Sequence, residues 1–372
     1  DSIFKQIESS YNLLVPTLAI INLQDTIFDI NESKIDQIYE LLIFSDYFKI
    51  PELHNDLLLA LEIGFTYRPR YYQSIINLLF LLHGNSETLH KSLISYLISR
   101  YKLQLLSIPF LRSIYDKHII TLEEVLSIIK EEFYTFDQIY SNYVTKSKAI
   151  LFFAKELYDD DKKSFIDQVN DNQRYSINVK EIEEYYDKWD EYSELVHLYH
   201  RPNDLCAAIF NDDVDLLQDI SSHQPNFDYN QVLKPFLFEP FEDIEGEVTL
   251  ANLAAFYGSV RCFRFLKLQQ ADLTNSGKFA IFGGSSEIVR LIEQDGIGLN
   301  DLFYCAIKYH RYDLFQWLLR NHGPLGELYE EEYRHGKKPL IPLSIQSYNY
   351  RAFIYFFEKG IKNTFKKYEN SL

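Results

Sequence analysis

At 372 residues, 47% of them hydrophobic, the chain is too long for one ordinary core and reads as two or more modules or one elongated array. A net charge of −17 and an isoelectric point near 5.0 create a field that repels polyphosphate and anionic lipid, which makes nucleic acid and membrane surfaces poor partners. The longest apolar runs, such as 75–82, fall far short of the roughly 20 residues of a membrane span, and an odd set of cysteines (Cys206, Cys262, Cys305) points to reduced thiols in a cytoplasmic setting.

The first residues, DSIFKQIESS, carry neither the basic n-region nor the apolar core of a secretory signal. Residues 1–135 then read as an N-terminal array of amphipathic helices. The clearest covers 34–44, where Ile35, Ile38, Leu41 and Leu42 form one stripe and Asn31 or Ser33 can cap the start. Further helices fit 53–63, 72–82, 87–100, 108–115 and 122–132. Pro51, Pro69 and Pro109 sit at or just before helix starts, where a missing amide hydrogen costs little. Short links imply antiparallel neighbours.

Residues 136–200 form an acidic helical connector with the run Asp159, Asp160, Asp161. From 121 to 200 there are 18 Asp plus Glu against 9 Lys plus Arg, a net of −9. The plain reading is a solvated linker; the sharper one is an acidic docking surface for a basic partner. His197 and His200, with Glu194 and Cys206 nearby, have the three-residue spacing that puts ligands on one helical face. No second ligand cluster accompanies them, and acidic helices produce such a set by chance.

Residues 201–362 hold a recurring cassette, fullest at 249–266 as TLANLAAFYGSVRCFRFL. Alanines stand four and three residues before Gly258, and Cys262, Phe263, Phe265 and Leu266 follow it. The same offsets recur from Gly284, His310 and Tyr348, and more weakly from Asp212. Thr249 can cap a first helix, the alanines let a second helix approach, and glycine tolerates the left-handed conformation that ends the first. The apolar quartet then gives a second helix whose wide apolar face one hairpin cannot bury, so stacking is obligatory. Steps of 26 between positions 258, 284 and 310 leave only brief connections. The longer steps, 46 and 38, accommodate insertions around Pro225, Pro235 and Pro240 and around 324–342, the places for irregular or functional additions. Residues 363–372 are a C-terminal tail.

The cassette resembles the ankyrin repeat, whose pattern begins T-P-L-H-x-A-A-x-x-G: Thr249, Ala254, Ala255 and Gly258 match, while Leu250 and Asn252 replace the proline and histidine. With AIFGGSSEIVRLI and AIKYHRYDLFQWLL following, it is similar to the divergent ankyrin-repeat proteins expanded in some protists, over about 160 residues. His310 and Tyr348 depart from the glycine, which puts those turns in doubt. The resemblance implies an all-α fold, a helical solenoid with an N-terminal helical array and about five C-terminal repeats. It also implies a concave recognition surface at the variable positions Leu253, Phe256, Tyr257, Phe279, Phe282, Lys308 and Tyr309. Inter-repeat packing is the competing role for these residues.

No catalytic or cofactor motif stands out. Ser276, Gly277 and Lys278 resemble a phosphate loop, but Asp272 occupies its first glycine position and Phe279 its Ser or Thr. The expectation is therefore a non-enzymatic protein–protein interaction scaffold without cofactor or metal. The alternatives are a two-part adaptor whose N-terminal half recruits an effector such as a ubiquitin ligase, or an enzyme with an unrecognised N-terminal active site. A pocket lined by convergent charged groups would favour the enzyme.

Overall fold

A computed structural model describes residues 16–133, 142–172, 179–198, 200–299, 302–322 and 340–358. Most of the insertion expected over 324–342, and the tail at 363–372, lie outside the described residues. The fold is all-α, with one small two-stranded sheet among the described residues. None of the described helices is long and apolar enough to cross a membrane.

The N-terminal half begins with α1 over residues 16–28. It continues through α2 (Ile35–Ile43), α3 (Asp46–Lys49), α4 (His54–Tyr67), α5 (Tyr72–His83), α6 (Glu87–Lys102), α7 (Ile108–Asp116) and α8 (Leu122–Phe133). All the helices expected here are present. Local chemistry sets their starts: Ser86 and Ser107 accept backbone N–H bonds at the starts of α6 and α7, and Thr121 and Glu124 form a reciprocal capping box on α8. Helix α4 buries side chains on all sides, including Leu57, Leu58, Leu61 and Phe65, and packs against α5, α6 and α7.

The connector is helical, but it is not a solvated linker. Helices α9 (Asn142–Phe152), α10 (Ala154–Asp160), α11 (Lys162–Asn172) and α12 (Trp189–Val196) bury Phe152, Phe153, Leu157, Phe165, Tyr192 and Val196. Asp159, Asp160, Asp161, Asp167, Asp190, Glu191 and Glu194 occupy the outer faces of these helices, Glu156 turns inward to Arg112, and the aromatics beneath join the core. Average charge along a sequence does not distinguish a solvated helix from an amphipathic one.

The cassettes form paired helices. First helices are α13 (Asp204–Asn211), α15 (Leu250–Tyr257), α17 (Ser276–Gly283), α19 (Phe303–Lys308) and α21 (Leu340–Gln346). Their partners are α14 (Val214–His223), α16 (Val260–Leu268), α18 (Ser286–Gln294), α20 (Tyr312–Asn321) and α22 over residues 350–358. Each first helix packs on the next, from α13 to α21. The turn positions Asp212, Gly258, Gly284, His310 and Tyr348 all have positive φ, between 53° and 77°. At four of them the following amide donates at 2.8 Å to the small residue four before the turn: Ala208, Ala254, Ala306 or Ser344.

The turns without glycine are intact, because their side chains find partners beyond their own hairpin. Asp212 accepts the Arg261 and Cys262 amides at 3.2 and 2.9 Å, capping α16 of the next hairpin. The His310 ring donates to the Ser347 carbonyl at 2.8 Å, and the Tyr348 hydroxyl accepts from Arg100 at 2.8 Å. Such bonds offset the roughly 1–2 kcal/mol that a Cβ costs in this region.

The insertion between the first two hairpins is a wedge. Strands β1 (Val232–Leu233) and β2 (Val248–Thr249) pair antiparallel at its base. Buried Arg201 donates to the carbonyls of Lys234, Ile244 and Gly246 and so closes the loop on itself. Phe238 packs against Phe152 and Tyr192 of the connector, and Phe241 against Phe256 of the stack. One continuous core therefore runs from Leu23 to Phe356.

Candidate functional site

The side chains expected to recognise a partner are brought together, but not on an open surface. Phe210 of α13 meets Tyr257 with ring centroids 5.0 Å apart, and Tyr257 meets Phe256 at 5.3 Å. Phe256 faces Phe282 at 6.4 Å, and Phe282 stacks on Tyr309 at 4.3 Å. This aromatic ridge crosses four consecutive first helices. Leu253, Phe256, Tyr257, Phe279, Phe282 and Tyr309 are all buried, none more than 5% exposed. The expectation that they are available to an outside partner is corrected by what packs on the ridge: Tyr67 of α4 on Tyr309, Tyr72 of α5 on Phe210, and Phe241 of the wedge on Phe256 and Tyr257.

That cover is specific. Tyr67 packs on Tyr309 at 5.1 Å. Arg68 donates to the carbonyls of Tyr309 and His310 at 2.8 and 3.1 Å, and Arg70 to that of Gly258 at 3.2 Å. Gln24 of α1 donates to the Tyr348 carbonyl at 2.9 Å. Side chains of the N-terminal half thus reach the exposed carbonyl ends of several hairpins, where the helix dipole places partial negative charge. In return, Arg311 donates to the carbonyls of Phe282 and Tyr67.

Beside the ridge, a cavity of about 280 Å³ opens between the two halves. Helix α4, the 104–109 link and α9 form one wall; residues 240–243, 308–309, Gln346 and Tyr348 form the other. Only Lys308 and Tyr309 of the expected set line it. Both bond to the same oxygen of Asp243, from Lys308 Nζ at 2.8 Å and from the Tyr309 hydroxyl at 2.6 Å. On the opposite wall, buried Glu62 accepts from the Tyr96 hydroxyl (2.5 Å), Arg100 (3.1 Å) and the Ser107 amide (2.7 Å). Lys148 reaches across to Glu245 at 2.5 Å. The charges that converge here neutralise one another in pairs.

Proton affinities follow from that pairing. Burial pushes the Tyr309 phenol well above its usual range, and the Asp243 charge adds to the effect. Tyr67 moves the same way through burial and the Glu242 charge. Burial alone would lower the Lys308 ammonium, but its bond to Asp243 raises it overall. Arg100 is likewise raised by Glu62 against its burial. Outside the cavity, Glu239 in the wedge is pushed up to about 8 by burial, with Arg201 opposing.

The histidine pair of the sequence does not converge. His197 bonds to Asp116 at 2.8 Å, whereas His200 turns to the Arg201 carbonyl and the Phe210 ring. All three cysteines are free and buried. Gly277 packs against Leu299 and Leu302 rather than opening a phosphate cradle.

Arg68, Arg70, Asp243 and Arg201 are the residues that sequence reasoning missed. A signal for the first two was present in Tyr67–Tyr72, YRPRYY: arginines on either side of a proline, among tyrosines, at the end of a helix with the unbroken apolar run Leu57–Leu61. No family model, curated protein or solved structure matches this chain.

Proposed function

We propose that this chain is a non-enzymatic protein-interaction scaffold, built on an ankyrin-like stack of hairpins, whose recognition face is held closed by its own N-terminal helices. The observation that carries the reading is Tyr67 packed on the Tyr309 end of the aromatic ridge, with Arg68 and Arg70 on the neighbouring turn carbonyls. There the stack engages an arginine- and tyrosine-bearing segment through ring contacts and turn carbonyls, as a binding module engages a ligand. A protein partner reaches the ridge by displacing that segment. Three buried free thiols support a reducing, cytoplasmic setting.

The two-part adaptor is weakened by the shared core, which leaves the N-terminal half little independence from the stack. The enzymatic alternative rests on the cavity between the halves. Its displaced groups (Tyr67, Tyr309, Lys308, Arg100) all move away from neutrality, whereas acid–base catalysis needs groups poised near the working pH.

The test compares proteins captured by the wild type and by Arg68→Gln/Arg70→Gln, near physiological ionic strength because an acidic bait retains excess material at low salt. Folding of both is checked by circular dichroism. The loosened variant is expected to retain specific proteins several-fold better, and adding Tyr309→Ser should abolish the gain. Equal retention by all three proteins would refute the reading.

A further inference from the structure

His310 stands where the two halves meet. Its Nε2 donates to the Ser347 carbonyl, and its ring contacts Phe28 of α1 at 5.0 Å and Tyr67 of α4 at 5.4 Å. Its own carbonyl accepts from Arg68, whose guanidinium lies 4.4 Å from the Phe28 ring centroid. Arg311 follows it in sequence and bonds to the carbonyls of Phe282 and Tyr67. Two guanidinium groups thus face the imidazole, one from each side of the joint. The acidic group whose charge reaches Arg68 is Asp25, which pairs with Arg351 and also feels Asp313. Tyr67 and Tyr309 complete the surroundings with phenols held neutral. Carbonyl oxygens can satisfy two buried cations; a third positive charge at the same spot has only the Ser347 carbonyl to favour it.

We propose that the joint between the N-terminal half and the hairpin stack is an acid-labile latch centred on His310: it holds while the imidazole is neutral and loosens when the imidazole takes up a proton. Burial, then Arg68 and Arg311, lower His310 to about 3, against the opposing pull of the Ser347 bond. With the joint open, the ring returns to the usual value near 6.5. The open form therefore binds a proton between pH 6.5 and 3 where the closed form does not, and acidification favours opening. Linkage gives a closing constant about 25-fold smaller at pH 5 than at pH 7.

Hydrogen exchange of the full chain at pH 7 and pH 5, corrected for intrinsic rates, tests this directly. Amides at the end of α4 and in α19 are expected to lose about 25-fold in protection relative to the outer helices α16 and α18. His310→Gln keeps a donor for the Ser347 carbonyl and cannot ionise, so this difference should vanish. The latch is overturned if the joint loses no more protection than α16 and α18, or if His310→Gln retains the full loss. If that variant does not fold, the wild-type imidazole can be followed by ¹⁵N chemical shift. Proton uptake in step with opening supports the latch; a ring already charged at pH 7 with the joint closed refutes it. The histidines His83 and His90, bonded to each other and through His90 to Glu124, lie between α5, α6 and α8 and are untouched by the substitution.

Discussion

Gly283 ends α17 where that helix crosses the carbonyl end of α15, and it sets how closely consecutive hairpins approach. A Cβ at this position would lie 2.9 Å from the Phe256 carbonyl oxygen, 3.1 Å from the Gly258 nitrogen and closer still to the Ala255 carbonyl oxygen. All three are main-chain atoms of the neighbouring hairpin, so no change of rotamer relieves the clash. Helix α17 must withdraw from α15, loosening the Phe256–Phe282 contact on the ridge. Overpacking of this kind costs about 1–3 kcal/mol and occasionally more, against a gain of at most about 1 kcal/mol from alanine's helix propensity. Because the obstacle is backbone, Gly283→Ala is expected near the upper end, with a net loss of about 2–3 kcal/mol. The control is Gly246→Ala, where no heavy atom lies within 4 Å and the change should stay within about 0.5 kcal/mol. Urea unfolding followed by circular dichroism reads both, with the slope against denaturant confirming a common unfolded state. If the two variants were equally stable, the close crossing of α15 and α17 would be wrong, and with it the hairpin spacing.

Two further tests probe buried groups. Glu239 holds its proton more tightly folded, near 8, than unfolded, near 4.5, so the wild type should lose stability as pH rises through that window. Glu239→Gln removes this dependence: its stability relative to wild type should improve by about 3–5 kcal/mol between pH 5 and pH 9, and urea midpoints showing a constant gap would exclude a buried carboxyl there. Tyr309→Phe keeps the ridge packing and deletes the bond to Asp243, for a cost of about 1–2 kcal/mol, whereas Tyr257→Ala should cost about 3–5 kcal/mol. A thermal midpoint unchanged in both would return these rings to the surface.

What was legible in the sequence is what local sterics decide. The stripe Ile35, Ile38, Leu41, Leu42 specifies a helix whatever packs on it, and the offsets around Gly258 specify a left-handed turn wherever they recur. The identity of the covering surface is not local. Phe256 and Tyr309 need an apolar neighbour, and their pattern is the same whether that neighbour belongs to another protein or to Phe241 and Tyr67 of the same chain. The charge of 121–200 misled for a related reason: composition averages over faces, and Phe153 and Tyr192 lie on the face that the acidic residues leave free.

The departures from glycine carry the most information about the joint. At His310 and Tyr348 a glycine would relieve roughly 1–2 kcal/mol of left-handed strain each. It would also delete the imidazole between Phe28, Tyr67 and Ser347 and the hydroxyl that meets Arg100. Gly258 and Gly284 occupy turns inside the stack; Arg70 meets only the carbonyl of Gly258, and Arg311 lies flat against Gly284. His310 and Tyr348 occupy the turns where α1, α4 and α6 make side-chain contact. Of the three non-glycine turns, Asp212 serves the next hairpin, whereas His310 and Tyr348 fall where the N-terminal half grips the stack. At His310 and Tyr348 the side chain that replaces glycine has been taken over by the intramolecular interface.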